Sequence, residues 1–116
     1  MNKKNLKNIC DKLLETFFSA GELSLTLRSK GLKTEYKEDN TPVSNGDIEV
    51  NNIITNKIKN LTPGMPIVSE ESSENKNNTK LKDFWLIDPI DGTYDYVNNK
   101  DEFTLNAALI INKIPE

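Results

Sequence analysis

Leu6, Ile9, Cys10, Leu13, Leu14, Phe17 and Phe18 recur at steps of three and four. That is the repeat of one helical face, so residues 3–28 are predicted to form an amphipathic helix, its phenylalanines serving as core anchors. A helix with one apolar side must lie on another apolar surface, and the rest of the chain offers both kinds. Ser44 opens a second helix, with Asp47 three residues on as a capping-box-like partner. Val50, Ile54, Ile58 and Leu61 follow at helical spacing until Thr62-Pro63-Gly64 ends the run. Three apolar stretches read instead as strands: Pro66 to Ser69, Phe84 to Ile87 and Phe103 to Ile111. The last of these carries Leu105, Ala107, Leu109 and Ile111 on one parity and Ala108 and Ile110 on the other, so both faces of its sheet are expected to be covered. Lys30 to Asn40 reads as a loop with room for a short strand, Thr41-Pro42 as a boundary, and Ser72 to Lys82 as a solvated loop. The expected fold class is therefore α/β, in a layered α+β arrangement. Asn112 to Glu116 reads as a turn and the start of another strand. Residues 1–116 thus read as one portion of a domain, truncated within its sheet, with an exposed edge beyond residue 111 open to self-association.

Composition narrows the chemistry. There is no histidine, which removes Ser-His and Cys-His nucleophile pairs and His-rich zinc sites. Carboxylates, hydroxyls, backbone amides or a hard metal ion remain. Asp and Glu outnumber Lys and Arg by 18 to 15, which argues against a nucleic-acid binder. The single cysteine, Cys10, cannot form an intramolecular disulfide and is expected to be a buried apolar side chain. No signal peptide or membrane span is visible, so the expected location is the cytoplasm.

The chemistry concentrates in Trp85-Leu86-Ile87-Asp88-Pro89-Ile90-Asp91-Gly92-Thr93. A buried strand delivers Asp88, proline fixes the turn, and Asp91 follows three positions later. Two carboxylates in one small volume repel each other, and a hard divalent cation such as Mg2+ relieves that repulsion. Gly92 lets the backbone approach closely, and the amides of Gly92 and Thr93 would open a helix, a ready place for phosphate. Should strands 66–69 and 84–87 lie side by side, Glu70 joins Asp88 and Asp91, and three carboxylates could hold two metal ions, with the Thr93 hydroxyl orienting a water. Asp47 has two compatible roles, as helix cap and as outer metal ligand or water holder.

Three segments together carry a resemblance. Trp85 to Thr93, with Tyr96 and Asn98 after it, resembles the signature of the inositol monophosphatase superfamily. Pro66-Ile-Val-Ser-Glu-Glu-Ser72 is similar to its Glu-Glu motif, and Thr41-Pro-Val-Ser-Asn-Gly-Asp47 to its Thr-Pro-Val-Thr-x-Ala-Asp segment. The resemblance implies a sugar-phosphatase fold and a Mg2+-dependent, commonly lithium-inhibited phosphatase. It implies that Glu70 binds the first metal and helps activate water, that Asp88 bridges metals, and that the Ile90 carbonyl ligates the first metal and Asp91 the second. Gly92 and Thr93 would hold phosphate, Thr93 would also touch the nucleophilic water, and Asp47 would sit at a weak third metal position. Asp101 to Ile110 resembles the Gly-Glu-Phe-Thr-Val-Asn-Ile-Ala-Leu-Ile segment of the CysQ-type 3′(2′),5′-bisphosphate nucleotidases, which implies a nucleotide bisphosphate as the small-molecule substrate. That branch carries Thr-Lys-Glu-Phe where this chain has Thr93-Tyr94-Asp95-Tyr96. The family is roughly twice as long, and its second half supplies a further aspartate to the second metal.

Overall fold

The structure, a computed structural model, describes residues 2–71 and 80–116. Helix α1 (Lys3–Lys30) starts where the Asn2 side chain accepts the Asn5 amide at 2.9 Å, and stops at Gly31, whose φ of 96° suits a residue without a side chain. Arg28 and Lys30 in its last turn complement the helix dipole. Strands β1 (Thr34–Tyr36) and β2 (Pro42–Ser44) form an antiparallel hairpin. Only β1 falls where the sequence left room for a strand; β2 occupies the predicted boundary. Helix α2 (Asn45–Leu61) follows directly, and its capping box closes in both directions between Ser44 and Asp47.

The main sheet has the order β3-β4-β5-β6, with β3 (Ile67–Ser69), β4 (Phe84–Asp91), β5 (Thr104–Ile111) and β6 (Ile114–Pro115). β3 runs parallel to β4, with Ile67 opposite Trp85, while β4 and β5 are antiparallel, with Trp85 opposite Leu109. Short α3 (Thr93–Val97) joins β4 to β5. The expected solvated loop falls mostly on residues 72–79, outside the described residues. β6 pairs only with Ile110 and Ile111, so it covers one end of the β5 edge.

One core joins these layers. Val50, Ile54 and Ile58 of α2 are fully buried and share a cluster with Trp85, Ile87 and Leu109 of the sheet and Leu13 and Ala20 of α1. The Trp85 indole Nε1 donates to Thr62 Oγ1 at 3.0 Å, so its one polar atom is satisfied inside the core.

Two expectations about burial fail. Cys10 is exposed, and Leu14 and Phe18 are 55% and 69% exposed. α1 meets the core through Leu6, Ile9, Leu13, Phe17 and Ala20. Cys10, Leu14 and Phe18 each lie one residue further on, rotated by about 100° onto the outer face. The sheet is also not evenly covered: Leu86 is 48% exposed while its neighbours Trp85 and Ile87 are buried. The helices lie on the face that Trp85 and Ile87 present, and successive strand residues point to opposite faces.

Candidate active site

The parallel pairing of β3 with β4 carries the two acidic segments to the same sheet end, as the adjacent-strand reading expects. The Glu70 amide extends the pairing by donating to the Ile87 carbonyl at 3.2 Å. Beyond Ile87, β4 loses register with β5 between Asp88 and Asp91, where Pro89 has no N–H to contribute. This irregularity re-aims the strand end. Asp88 is half-buried and Asp91 exposed, while Pro89 and Ile90 between them are buried.

Gly92 turns the chain into α3 at φ 91°. A Cβ there would stand 2.7 Å from the Glu102 carbonyl oxygen and 3.3 Å from Phe103 Cα, both backbone atoms, so the position suits glycine for room as well as for torsion. Thr93 comes next, and its hydroxyl donates to Asp47 Oδ1 at 2.7 Å, with the Ile90 carbonyl oxygen at 3.1 Å. Asp47 is fully buried. Its Oδ2 accepts from the Ser44 amide at 2.8 Å and the Ser44 hydroxyl at 2.6 Å. The helix-cap reading of Asp47 is therefore realised, and the carboxylate also holds Thr93 across 46 residues of sequence.

A cleft of about 430 Å³ collects Glu70, Asp88, Ile90, Asp91, Gly92 and Thr93 on its walls. Asp47 lies behind Thr93 and is not part of the lining. The Asp88 carboxyl is pushed above its ordinary range, first by burial and then by repulsion from Asp91, Glu70 and Asp47, with Lys37 opposing. Lys37 and Glu71 belong to the same cleft and form an ion pair at 3.7 Å. Burial raises the Glu71 carboxyl despite that partner. The sequence points to Glu71 only as part of the Glu70-Glu71 pair and does not point to Lys37. Lys37 sits in a polar stretch without periodicity, and only the hairpin, in which its amide donates to the Thr41 carbonyl at 2.8 Å, brings it over the cleft. The signal available was weak: Thr34, Tyr36 and Val43 flanking Asp39-Asn40 suit a hairpin.

The donor set suits a hard cation: carboxylates and a carbonyl, all oxygen, around a carboxyl whose ionisation is opposed by its neighbours. Among the described residues, no three acidic, cysteine or histidine side chains converge closely enough to form a ready cage. The residues share a cleft and an electrostatic field, and the arrangement is open.

A second constellation lies behind the site. Tyr96 is fully buried and donates its hydroxyl to the Ser24 carbonyl at 2.6 Å. Burial raises the phenol to about 12, with Asp47 adding to the rise and Arg28 opposing it. Its ring meets Phe103 edge-to-face at 4.9 Å and packs against Gly46, the residue before Asp47.

A parallel-to-antiparallel sheet backed by two helices, with acidic strand ends and a Gly-Thr helix start on one cleft, is the layered α+β arrangement expected of this sequence. The chain belongs to the inositol monophosphatase family, whose profile matches residues 6–116. It is 36% identical over 112 residues to the 3′(2′),5′-bisphosphate nucleotidase CysQ of Buchnera aphidicola subsp. Acyrthosiphon pisum, covering 94% of this chain and 42% of that protein. The crystal structure of CysQ from Bacteroides thetaiotaomicron superposes with a TM-score of 0.68 at 29% identity, over 94% of this chain and 40% of that one. An IMPase/NADP phosphatase complexed with Mg2+ and phosphate matches with a TM-score of 0.77 at 21% identity, over 97% of this chain and 42% of that one, which speaks to the fold alone. The chain thus spans less than half the length of these relatives. No helix among the described residues is long and apolar enough to cross a membrane.

Proposed function

We propose that this chain carries the metal-binding and water-orienting part of a Mg2+-dependent phosphatase that converts adenosine 3′,5′-bisphosphate to AMP and phosphate in the cytoplasm. The observation that carries the reading is the Thr93–Asp47 hydrogen bond at 2.7 Å beside the cleft shared by Glu70, Asp88 and Asp91. Glu70, Asp88, the Ile90 carbonyl and Asp91 would hold Mg2+. When bound, the ion would supply positive charge to the phosphate and lower the pKa of the attacking water.

The residues divide the remaining work. Thr93 donates its hydroxyl proton to Asp47, which leaves oxygen lone pairs turned away from that bond to accept from a water. Asp47, fixed by Ser44, keeps that hydroxyl from rotating. Glu70 helps take the water proton. The amides of Gly92 and Thr93 hold the phosphate at the close turn. Water attacks phosphorus in line, the bond from phosphorus to the ribose oxygen breaks, and that oxygen leaves as a hydroxyl after protonation, with no phosphoenzyme. The likeness to CysQ proteins supports the nucleotide substrate.

Tyr94, 66% exposed on the cleft, replaces the lysine of the CysQ pattern, and this favours a second reading, a phosphatase for inositol or sugar phosphates. The open carboxylate arrangement and the 42% coverage favour a third, in which this chain alone only binds metal or self-associates along the β5 edge. Phosphate release from adenosine 3′,5′-bisphosphate and from inositol monophosphate, with Mg2+ and an Asp88→Asn control, separates them. Preference for the inositol ester sinks the nucleotidase reading. Metal binding without turnover leaves the third.

A further inference from the structure

Arg28 makes more contacts than the end of a helix needs. Its side chain is 13% exposed, and its guanidinium stands 5.7 Å from the centre of the Tyr96 ring and 5.3 Å from that of Phe103. Nη1 donates to the Lys100 carbonyl at 2.8 Å and Nη2 to Asp101 Oδ1 at 2.6 Å. One side chain thus holds both flanks of the Gly92 turn. On one flank lies α3, through Tyr96, whose own amide donates to the Gly92 carbonyl at 3.0 Å. On the other lies the segment 100–103, whose Glu102 carbonyl fills the space where a Gly92 side chain would stand. The same end of α1 supplies the Ser24 carbonyl that receives the Tyr96 hydroxyl.

We propose that Arg28 is a positioning residue for the site: by clamping Tyr96 and residues 100–103 together, it fixes the Gly92 turn and so holds the Thr93 hydroxyl on Asp47. The contacts explain why the residue is arginine. A planar guanidinium can rest against two rings at once and still direct separate N–H groups at two acceptors, whereas a lysine ammonium carries the charge without the fork. Ordering of Thr93 then comes from a residue in a different element, at the far end of α1, that touches neither metal nor phosphate. The catalytic meaning of this clamp rests on the proposed function; the clamp itself does not.

The test is amide hydrogen exchange on the unliganded full chain, comparing Arg28→Ala, Arg28→Lys and a Lys7→Ala control at the exposed Lys7–Asp11 pair. Arg28→Ala is expected to speed exchange of the Tyr96 and Asn98 amides about tenfold or more relative to Ile54 in α2, and to move the Gly92 and Thr93 amide resonances. Arg28→Lys is expected to leave most of that defect, and guanidinium at non-denaturing millimolar concentration to reverse it in Arg28→Ala. Unchanged rates, equal acceleration at Ile54, or full restoration by lysine would overturn the proposal. Where Arg28→Ala does not fold, Arg28→Lys decides on the same amides: selective acceleration supports the clamp and native rates refute it. A parallel titration with inorganic phosphate and Mg2+ is expected to show about tenfold weaker phosphate binding in Arg28→Ala. A wild-type chain that binds no phosphate would sink the proposed function, and the exchange rates would still decide the role of Arg28.

Discussion

Gly46 and Tyr96 form a pair whose energetics can be worked out from the structure. The segment holding Gly46 resembles a family pattern with alanine at that place, and the segment holding Tyr96 resembles one with phenylalanine. Here the tyrosine hydroxyl occupies the room of the missing methyl: a Cβ on Gly46 would lie 2.2 Å from Tyr96 Oη, where ordinary contact begins near 3.4 Å. Tyr96 has little freedom to retreat, being fully buried and tied to the Ser24 carbonyl at 2.6 Å. Gly46→Ala therefore overpacks the site, at about 1–3 kcal/mol. Breaking the Tyr96 bond leaves its buried hydroxyl unpaired, another 1–3 kcal/mol or so. Better helix propensity returns roughly 0.5–1 kcal/mol. The expected net loss is about 2–4 kcal/mol. Tyr96→Phe alone is expected to cost about 0.5–1.5 kcal/mol through the lost hydrogen bond, because the Ser24 carbonyl lies inside α1 and still has the helical N–H one turn on as its donor. In the double variant the ring, no longer tied to Ser24, needs a smaller shift to admit the methyl. The two losses should then fall short of additivity by about 1 kcal/mol or more. Urea unfolding followed by the fluorescence of the single, buried Trp85 measures all three variants. A neutral or stabilising Gly46→Ala, or strict additivity, would refute this packing argument.

Three further outcomes are expected. Thr93→Val removes the hydroxyl that Asp47 holds and should lower Mg2+-dependent phosphate release about 100-fold, at the low end for a lost proton-handling group, while unfolding by urea reports a loss of about 1–3 kcal/mol from the buried Asp47 oxygen. Asp88 keeps its proton to higher pH in the folded chain than its ordinary 3.8, so the folded state binds more protons in that window, and metal-free stability falls as pH rises from 3.8 through the raised value. Asp88→Asn should remove that fall and stabilise the metal-free chain at neutral pH, read as Tm against pH; a lower Tm at pH 7 would contradict it. Thr62→Val strands the buried Trp85 N–H and should cost about 1–3 kcal/mol in urea unfolding, with no change in metal affinity.

The helix pattern from Leu6 to Phe18, the Ser44–Asp47 capping box and the three apolar strands were all legible in the sequence because each is a local signal with its own period or spacing. The meeting of Glu70 with Asp88 and Asp91 was legible as a condition on strand pairing, and the parallel β3–β4 register meets it. What the sequence did not reveal depends on rotation and distance. An apolar face one residue wider than its contact looks all core in sequence, and only the packing of α1 on α2 leaves Cys10, Leu14 and Phe18 outside. Lys37 and Arg28 reach the site region from a hairpin and from a helix end, and neither position has a periodic partner to betray it. Gly46 enters the sequence only as one place in the Thr41 to Asp47 segment, and its spatial meaning depends on a ring 50 residues later.

The most direct test is calorimetric titration of Mg2+ into the chain with inorganic phosphate present, for the wild type and Asp88→Asn. Saturable binding in the wild type that is abolished or weakened at least about tenfold in Asp88→Asn is the expected result, because the carboxylates of the β3 and β4 ends share one cleft. An absence of saturable binding, or equal binding by both proteins, would contradict the assignment of that cleft as a metal and phosphate site.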